Sequence, residues 1–273
     1  TVTLAKTGDT VTLTIATNEN VSSPTVTFTS GGAAATNADT VSGASPGTSF
    51  TSAYTVDASD TDGTVAISIT ATDVAGNTTS GFTTISAGSV TVDQTAPASQ
   101  KTQGVVTTGG DNQVAGYWNS GNTGVDITVP IADDSSINGG TVQLLVSTDG
   151  GGSFVPLDTP STISAVNTNK TISVAGGVLE GVAGFGESDV LQFKATITDT
   201  SGNATTGTVS DTTLTVDQTA ATISTSSIAS DNETVTLAKT GDTVTLTIAT
   251  NENVSSPTVT FTSGGAAATN ADT

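Results

Sequence analysis

The sequence lacks several residue types on which most enzymes and many metal sites depend. It has no cysteine, no histidine and no methionine, and its only cationic side chains are 5 lysines. Without histidine there is no imidazole general base, and without cysteine there is no thiol nucleophile, zinc thiolate site or disulfide. A nucleophilic serine would need a lysine base, and no lysine has suitable neighbours in the sequence. We therefore expect a protein that is not an enzyme.

Positive charge is scarce throughout the 273 residues. Lysine contributes 5 positive charges against 25 aspartates and glutamates, for a formal net charge of −20. Such an acidic chain repels the phosphate backbone of nucleic acids. No apolar run approaches the roughly 20 residues that a membrane-spanning helix requires. We expect neither a nucleic-acid partner nor membrane insertion of this segment.

What the sequence does contain is typical of β-sheets. Threonine and valine are abundant, glycine occurs 30 times, and hydrophobic residues make up only 34%. Polar and apolar residues alternate in segments 10–16, 65–71, 125–131, 142–146 and 191–197. This period of two predicts strands with one buried face and one solvent-exposed face. Residues 147–153 predict a hairpin turn between two such strands, and no stretch of useful length has helical periodicity.

The chain also repeats itself. Residues 1–40 are identical, letter for letter, to residues 234–273, an offset of 233 residues. A looser repeat lies inside this unit, where Val92–Pro97 returns as Val216–Ala221. Repeats of this size indicate tandem domains in a longer array. We predict three parts: module A, residues 1–92, with its first strand outside the sequence; module B, residues 93–216; and segment C, residues 217–273, the truncated start of the next module A.

Three motifs carry a resemblance to a known family. They are the Asp-Gln-Thr-Ala-Pro junction at 93–97, the Thr-Asp-Val-Ala-Gly-Asn loop at 72–77 and the run Ala-Lys-Thr-Gly-Asp-Thr-Val at 238–244. Together they resemble the bacterial immunoglobulin-like domains that occur in tandem in giant surface adhesins. The resemblance covers essentially the whole chain. It implies an all-β fold of tandem immunoglobulin-like β-sandwiches in an elongated array.

Acidic residues fall in loops that such a sandwich brings to the same pole. Asp133 and Asp134 follow the second strand of module B, Asp199 follows the sixth strand, and Asp93 lies in the incoming linker. We expect these four to converge at one junction. The next junction would gather Asp217 and Glu252. In module A, Glu19 and Asp73 lie in the loops that would contribute to its own N-terminal junction.

Carboxylates that meet in this way repel one another unless a cation lies between them. Calcium suits such a site, since it accepts six to eight oxygen ligands in irregular geometry. The resemblance likewise implies calcium at domain junctions. The alternative is that Asp-x-x-Gly-Asn is simply a good turn sequence, with aspartate accepting from backbone N–H groups. Asp57, Asp60 and Asp62 lack the pattern of an EF-hand loop, and we interpret them as a solvated turn.

Three functions remain in competition. The first is an extracellular structural spacer, the calcium-stiffened extender of a large bacterial adhesin at the cell surface. Its partners would be neighbouring repeats of the same chain. The second is a subunit that associates laterally into an extracellular filament, sheath or appendage. The third is an accessory carbohydrate-binding module, with Tyr117 and Trp118 as a stacking platform, although such a pair more often packs in a core.

Overall fold

The computed structural model describes residues 2–37, 40–110 and 113–268. It divides into two compact units, Thr1–Val216 and Asp217–Thr273. The first unit contains modules A and B, and the second is segment C. No helix among the described residues has the length and apolarity needed to cross a membrane.

Module A is a sandwich of two β-sheets. Its strands are β1 (Val2–Ala5), β2 (Thr10–Val21), β3 (Thr25–Ser30), β4 (Ala33–Ala34), β5 (Gly47–Thr55), β6 (Gly63–Thr72), β7 (Thr78–Phe82) and β8 (Ser89–Val92). One sheet has the order β1-β8-β6-β3-β4, with β7 also paired to β6, and the other consists of β2 and β5. β1 runs parallel to β8, whereas β2 and β5 are antiparallel.

The core of module A lies between these sheets because every second strand residue points inward. Ile15 from β2 and Phe50 and Tyr54 from β5 face Phe28 and Ile67 of the opposite sheet, and all five are buried. The rings of Phe28 and Tyr54 lie 5.3 Å apart between centroids. The alternation predicted for segments 10–16 and 65–71 is confirmed.

Module B repeats the plan with one additional strand, β9 (Gln103–Thr108). Its strands are β9, β10 (Tyr117–Trp118), β11 (Gly124–Ile131), β12 (Thr141–Ser147), β13 (Val155–Thr162), β14 (Thr168–Ala175), β15 (Val190–Thr198), β16 (Ala204–Thr206) and β17 (Leu214–Val216). One sheet has the order β14-β11-β9, and the other has the order β10-β17-β15-β12-β13, with β16 also paired to β15. β10 is parallel to β17, as β1 is to β8.

The two modules therefore share the strand order of an immunoglobulin-like sandwich, and the chain is a tandem of such domains. Module B has its own core, separate from that of module A. Leu191, Phe193, Ala195 and Ile197 of β15 share its buried face, as their alternation predicts. Only two short helices interrupt the described strands: a 3₁₀ helix over Ser135–Ile137 and α1 over Gly176–Glu180.

A single carboxylate organises the hairpin turn between β12 and β13. Asp149 accepts hydrogen bonds from the Ser147 hydroxyl at 2.6 Å, from the Gly152 N–H at 2.8 Å and from both the N–H and the hydroxyl of Ser153. The Ser147 hydroxyl bond, and then those from Ser153, lower the pKa of Asp149 far below its ordinary range. The predicted hairpin at residues 147–153 is confirmed.

Segment C contains β18 (Ile223–Ser230), β19 (Val244–Thr250), β20 (Thr262–Ser263) and β21 (Ala266–Ala267). β18 pairs antiparallel with β19, and β20 pairs with β21. Most side chains of this ribbon face solvent: Ile223 is 65% exposed and Ile228 is 64% exposed.

Adjacent valines in β9 test how strongly the core depends on alternation. Val105 is 5% exposed and Val106 is 58% exposed. Val105→Ala removes buried carbon and leaves a cavity, so we expect it to lower the free energy of unfolding of module B by about 2 kcal/mol. Val106→Ala is the matched control, with an expected loss of no more than about 0.5 kcal/mol. Urea unfolding measures both, and equal losses would contradict the assigned faces.

Candidate functional site

The linker that follows β8 is bound first by module A. The Asp93 N–H donates to the Ala5 carbonyl at 2.9 Å. One Asp62 carboxylate oxygen accepts from the Gln94 N–H at 2.9 Å, and the other accepts from the Thr95 hydroxyl at 2.6 Å. Three successive linker residues are thus attached to the preceding sandwich.

Module B binds the same linker from the other side. The Ser201 hydroxyl donates to the Asp93 carboxylate at 2.7 Å, and the Asn203 side-chain amide donates to the Asp93 carbonyl at 2.9 Å. Both donors lie in the turn between β15 and β16. We refer to Asp62, Asp93, Ser201 and Asn203 as the linker clasp, since these four side chains join the linker to both modules.

Asp199 shapes the turn that presents these donors. Its carboxylate accepts from the backbone N–H groups of Ser201 and Asn203 at 2.9 and 2.8 Å, and from the Asn203 side chain at 2.9 Å. Asp199 is only 4% exposed. A buried carboxylate is tolerated here because N–H donors surround it. The turn is therefore preorganised to receive the linker.

The backbone conformation favours glycine within this turn. Gly202 has φ of +90°, in the left-handed region that favours glycine. A Cβ atom at this position would also lie 3.0 Å from the Cε atom of Lys6 in module A. The stem of Lys6 thus packs on the turn of the neighbouring module, where a larger residue would crowd it.

Module A contains the same turn between β6 and β7. Asp73 accepts from the N–H groups of Ala75 and Asn77 and from the Asn77 side chain, each at 2.8 Å. These bonds, led by that from the Asn77 side chain, hold the pKa of Asp73 below its ordinary value of 3.8. The shared Asp-x-x-Gly-Asn motif thus forms one turn in both modules.

The other acidic residues expected at the junctions have different surroundings. Asp134 caps the 3₁₀ helix, accepting from the Ser136 N–H at 2.9 Å and from its hydroxyl at 2.7 Å, while Asp133 is exposed. Glu19 is exposed, and Asp217 and Glu252 in segment C are half-buried. The backbone carbonyls of Glu19 and Glu252 each accept from a threonine hydroxyl two residues earlier.

The junction provides oxygen atoms, the ligand type that calcium prefers, but these oxygens already accept hydrogen bonds. Both Asp199 oxygens are bound by N–H donors, and those of Asp93 accept from Thr95 and Ser201. Across residues 2–37, 40–110 and 113–268, no three acidic side chains form a group able to hold a metal ion. The hydrogen bonds to Asp199 are those of the turn that the Asp-x-x-Gly-Asn motif predicts. Calcium at the junctions stays a prediction from the sequence.

Sequence reasoning identified Asp93 and Asp199 but missed the neutral donors that connect them. Ser201 and Asn203 lie in the second copy of the Asp-x-x-Gly-Asn motif, at residues 199–203, and only the fold shows that their side chains reach the linker. Asp62 was interpreted as part of a solvated turn and instead binds the linker. Asp60, assigned to the same turn, is 8% exposed and accepts from Thr36 and from the backbone of Asp57.

The aromatic pair in module B does not form a surface platform. Trp118 has no exposed surface, its ring nitrogen donates to Glu180 at 3.1 Å, and Phe185 packs edge-on at 6.5 Å between centroids. Tyr117 is 45% exposed. The indole is therefore part of the core, as such a pair more often is.

Comparisons with known proteins give structural likenesses of low similarity. No protein-family model matches the chain. No curated protein matches it either. Titin domains A168–A170 are similar at 13% identity and a TM-score of 0.40, covering 79% of this chain and 62% of that one. A tetra-tandem repeat from the extending region of a large adhesion protein is similar at 20% identity and a TM-score of 0.27, covering 89% and 60%. The chain thus spans about three-fifths of each.

Substituting two equivalent asparagines distinguishes the role of the linker clasp from that of the turn that supports it. Asn203→Ala removes the bond to Asp93 as well as the turn bond, whereas Asn77→Ala removes only the equivalent turn bond in module A. We expect Asn203→Ala to speed amide hydrogen exchange at Gln94 and Thr95 and Asn77→Ala to leave it unchanged. Equal exchange in both variants would contradict the clasp.

The same variants test the acid response of Asp73. A folded-state pKa below the ordinary value means that the turn's stabilisation is complete above pH 3.8 and is lost as pH falls through the lowered pKa. We expect the Asp73 carboxyl, followed by NMR, to titrate below 3.8 and to move back toward this value in Asn77→Ala. Asn203→Ala is the control and should leave this titration unchanged.

Proposed function

We propose that the chain is an extracellular structural spacer, part of the extender of a large bacterial surface adhesin. Its role would be to hold a distal binding domain away from the cell. Two observations support a mechanical rather than a chemical role: tandem sandwiches with separate cores, and a 40-residue segment that recurs unchanged after 233 residues. In a spacer the number of modules matters more than variation between them.

The observation that carries this proposal is the linker clasp. A string of domains holds a distant site in place only if its joints resist bending, and domains joined by free linkers move independently by default. Here Asp62 of module A and Ser201 and Asn203 of module B bind adjacent linker residues. Bending this joint would break several hydrogen bonds at once, some of them to partly buried groups.

The charge of the chain suits an exposed, crowded position. With a net charge of −20, neighbouring copies repel one another, which favours solubility. Acidic and threonine-rich faces also limit nonspecific pairing of sheet edges. Calcium at the junction is a separate hypothesis, because the described hydrogen bonds already join the linker to both modules.

Lateral association into an extracellular filament, sheath or appendage is the alternative function. The carbohydrate-binding hypothesis rested on Tyr117 and Trp118, and the burial of Trp118 leaves it without a stacking surface.

Joint rigidity can be measured with two spin labels, because the chain contains no cysteine to interfere. Labels at Thr51→Cys in β5 and Asn169→Cys in β14, both exposed positions, report the distance between the sandwiches. We expect a narrow distance distribution by pulsed electron resonance. It should broaden when Ser201→Ala and Asn203→Ala are added together, because the clasp then loses both module B donors.

Two controls complete this measurement. Asn77→Ala, which alters the equivalent turn away from the linker, should leave the distribution narrow. A broad distribution in the unmodified chain would contradict the spacer proposal. A chelator tests calcium separately: broadening that added calcium reverses would support a metal at the junction, and an unchanged distribution would assign the rigidity to hydrogen bonds alone.

A further inference from the structure

The turn between β1 and β2 contains a further copy of the Lys-Thr-Gly-Asp motif, at residues 6–9. The Lys6 N–H donates to the Asp9 carboxylate at 2.9 Å, and the Asp9 N–H donates to the Lys6 carbonyl at 2.9 Å. Ala5, the residue before the turn, pairs with Val92 at the end of β8. The turn therefore lies where the chain leaves module A, and we refer to residues 6–9 as the exit turn.

The same turn occurs in module B and in segment C. In module B, the Asn119 N–H donates to the Asn122 side-chain oxygen at 2.8 Å, and the Asn122 N–H donates to the Asn119 carbonyl at 3.1 Å. In segment C, Lys239 and Asp242 form the same two bonds at 2.8 and 3.0 Å. Both bonds use the backbone of the first turn residue, which can be asparagine or lysine. The side chain of Lys6 is thus not needed to form the turn.

The side chain of Lys6 contacts module B. Its Cε and Cδ atoms lie 3.0 and 3.7 Å from the position that a Cβ atom of Gly202 would occupy. Its ammonium group lies 3.7 Å from an Asp9 oxygen, and the two side chains are 35% and 45% exposed. An ion pair this exposed contributes little to stability. The apolar stem is therefore the part of Lys6 that can position the neighbouring module.

The next residue of the exit turn reaches the linker. The Thr7 hydroxyl donates to the side-chain oxygen of Gln94, and the Gln94 side-chain amide donates to the Asp60 carbonyl at 2.8 Å. Gln94 follows Asp93, whose carboxylate accepts from Ser201 in the turn between β15 and β16. The exit turn thus contacts the linker through one residue and module B through the residue before it.

We propose that Lys6 is a positioning residue of the A–B joint, whose stem packs on Gly202 and fixes the orientation of module B. The partner that it recognises is an Asp-x-x-Gly-Asn turn, because glycine leaves the space that the methylene chain occupies. Asparagine, which module B has at the equivalent position, ends before the position of the lysine Cε atom and cannot make this contact. The proposal deepens the spacer function, on which its biological role rests, by naming a side chain that orients one module on the next.

Two glycines of the same motif provide a matched comparison. Gly202 in module B and Gly76 in module A have φ of +90° and +93°, so a side chain strains the backbone similarly at both positions. Their surroundings differ: a Cβ atom at Gly202 meets Lys6, whereas a Cβ atom at Gly76 meets no described atom within 4 Å. Alanine at these two positions therefore separates the contact with Lys6 from the strain of the turn.

Three substitutions test the Lys6 stem in the chain with spin labels at Thr51→Cys and Asn169→Cys. Lys6→Asn introduces the residue of the module B turn, and Lys6→Met retains an unbranched apolar stem without the charge. We expect Lys6→Asn to broaden the distance distribution and Lys6→Met to leave it narrow. Lys239→Asn makes the same change in the identical turn of segment C and should also leave it narrow.

A narrow distribution that Lys6→Asn leaves unchanged would overturn this inference and leave the spacer proposal intact. Equal broadening in Lys6→Asn and Lys6→Met would also overturn it, since the charge rather than the stem would then position module B. A broad distribution in the unmodified chain would contradict both proposals. NMR tests the contact by itself: we expect a nuclear Overhauser effect between the Lys6 ε-methylene and the Gly202 α protons, and its absence would overturn the inference alone.

A double-mutant cycle provides a second test through stability. We expect Gly202→Ala to lower the urea midpoint of unfolding more with Lys6 present than with Lys6→Asn, because the shorter side chain no longer crowds the added methyl group. The loss caused by Gly76→Ala should be the same in both backgrounds, since its turn lies at the other end of β6, about 30 Å from the exit turn. Equal coupling of both glycines to Lys6, or none in either, would overturn the inference.

Discussion

Satisfying hydrogen-bond donors and acceptors at the margins of each sandwich is the constraint on which this structure depends. Cores of alternating apolar residues account for the interior of each module, but they leave turns, linkers and strand edges with polar groups to pair. At the A–B junction, the polar groups of the linker form hydrogen bonds with Asp62, Ser201 and Asn203. In module B, β9 pairs the edge of β11. At this junction the partners come from both modules, so specific hydrogen bonds hold the linker on each side.

Many of the aspartates of this acidic chain stabilise the turns in which they lie. Asp73, Asp134, Asp149 and Asp199 each accept two or more hydrogen bonds from the turn or cap in which they lie. Short polar side chains favour such turns because they bond to backbone groups two to four residues away. Much of the carboxylate content thus fixes loop conformation, and a bound cation is not needed to explain why aspartates recur at these positions.

The sequence by itself determined the fold class, the strands with one wet face, the hairpin at 147–153 and the repeat, because period-two alternation and turn residues are local signals. It also identified Asp93 and Asp199 as junction residues. Tertiary structure alone decided what these residues contact: Ser201 and Asn203 lie 108 and 110 positions from Asp93, and Asp62 binds the linker from 32 positions away. Burial of Trp118 was likewise decided by packing between distant segments. No local pattern encodes such contacts, because they arise only when separate loops are brought to one pole of a sandwich.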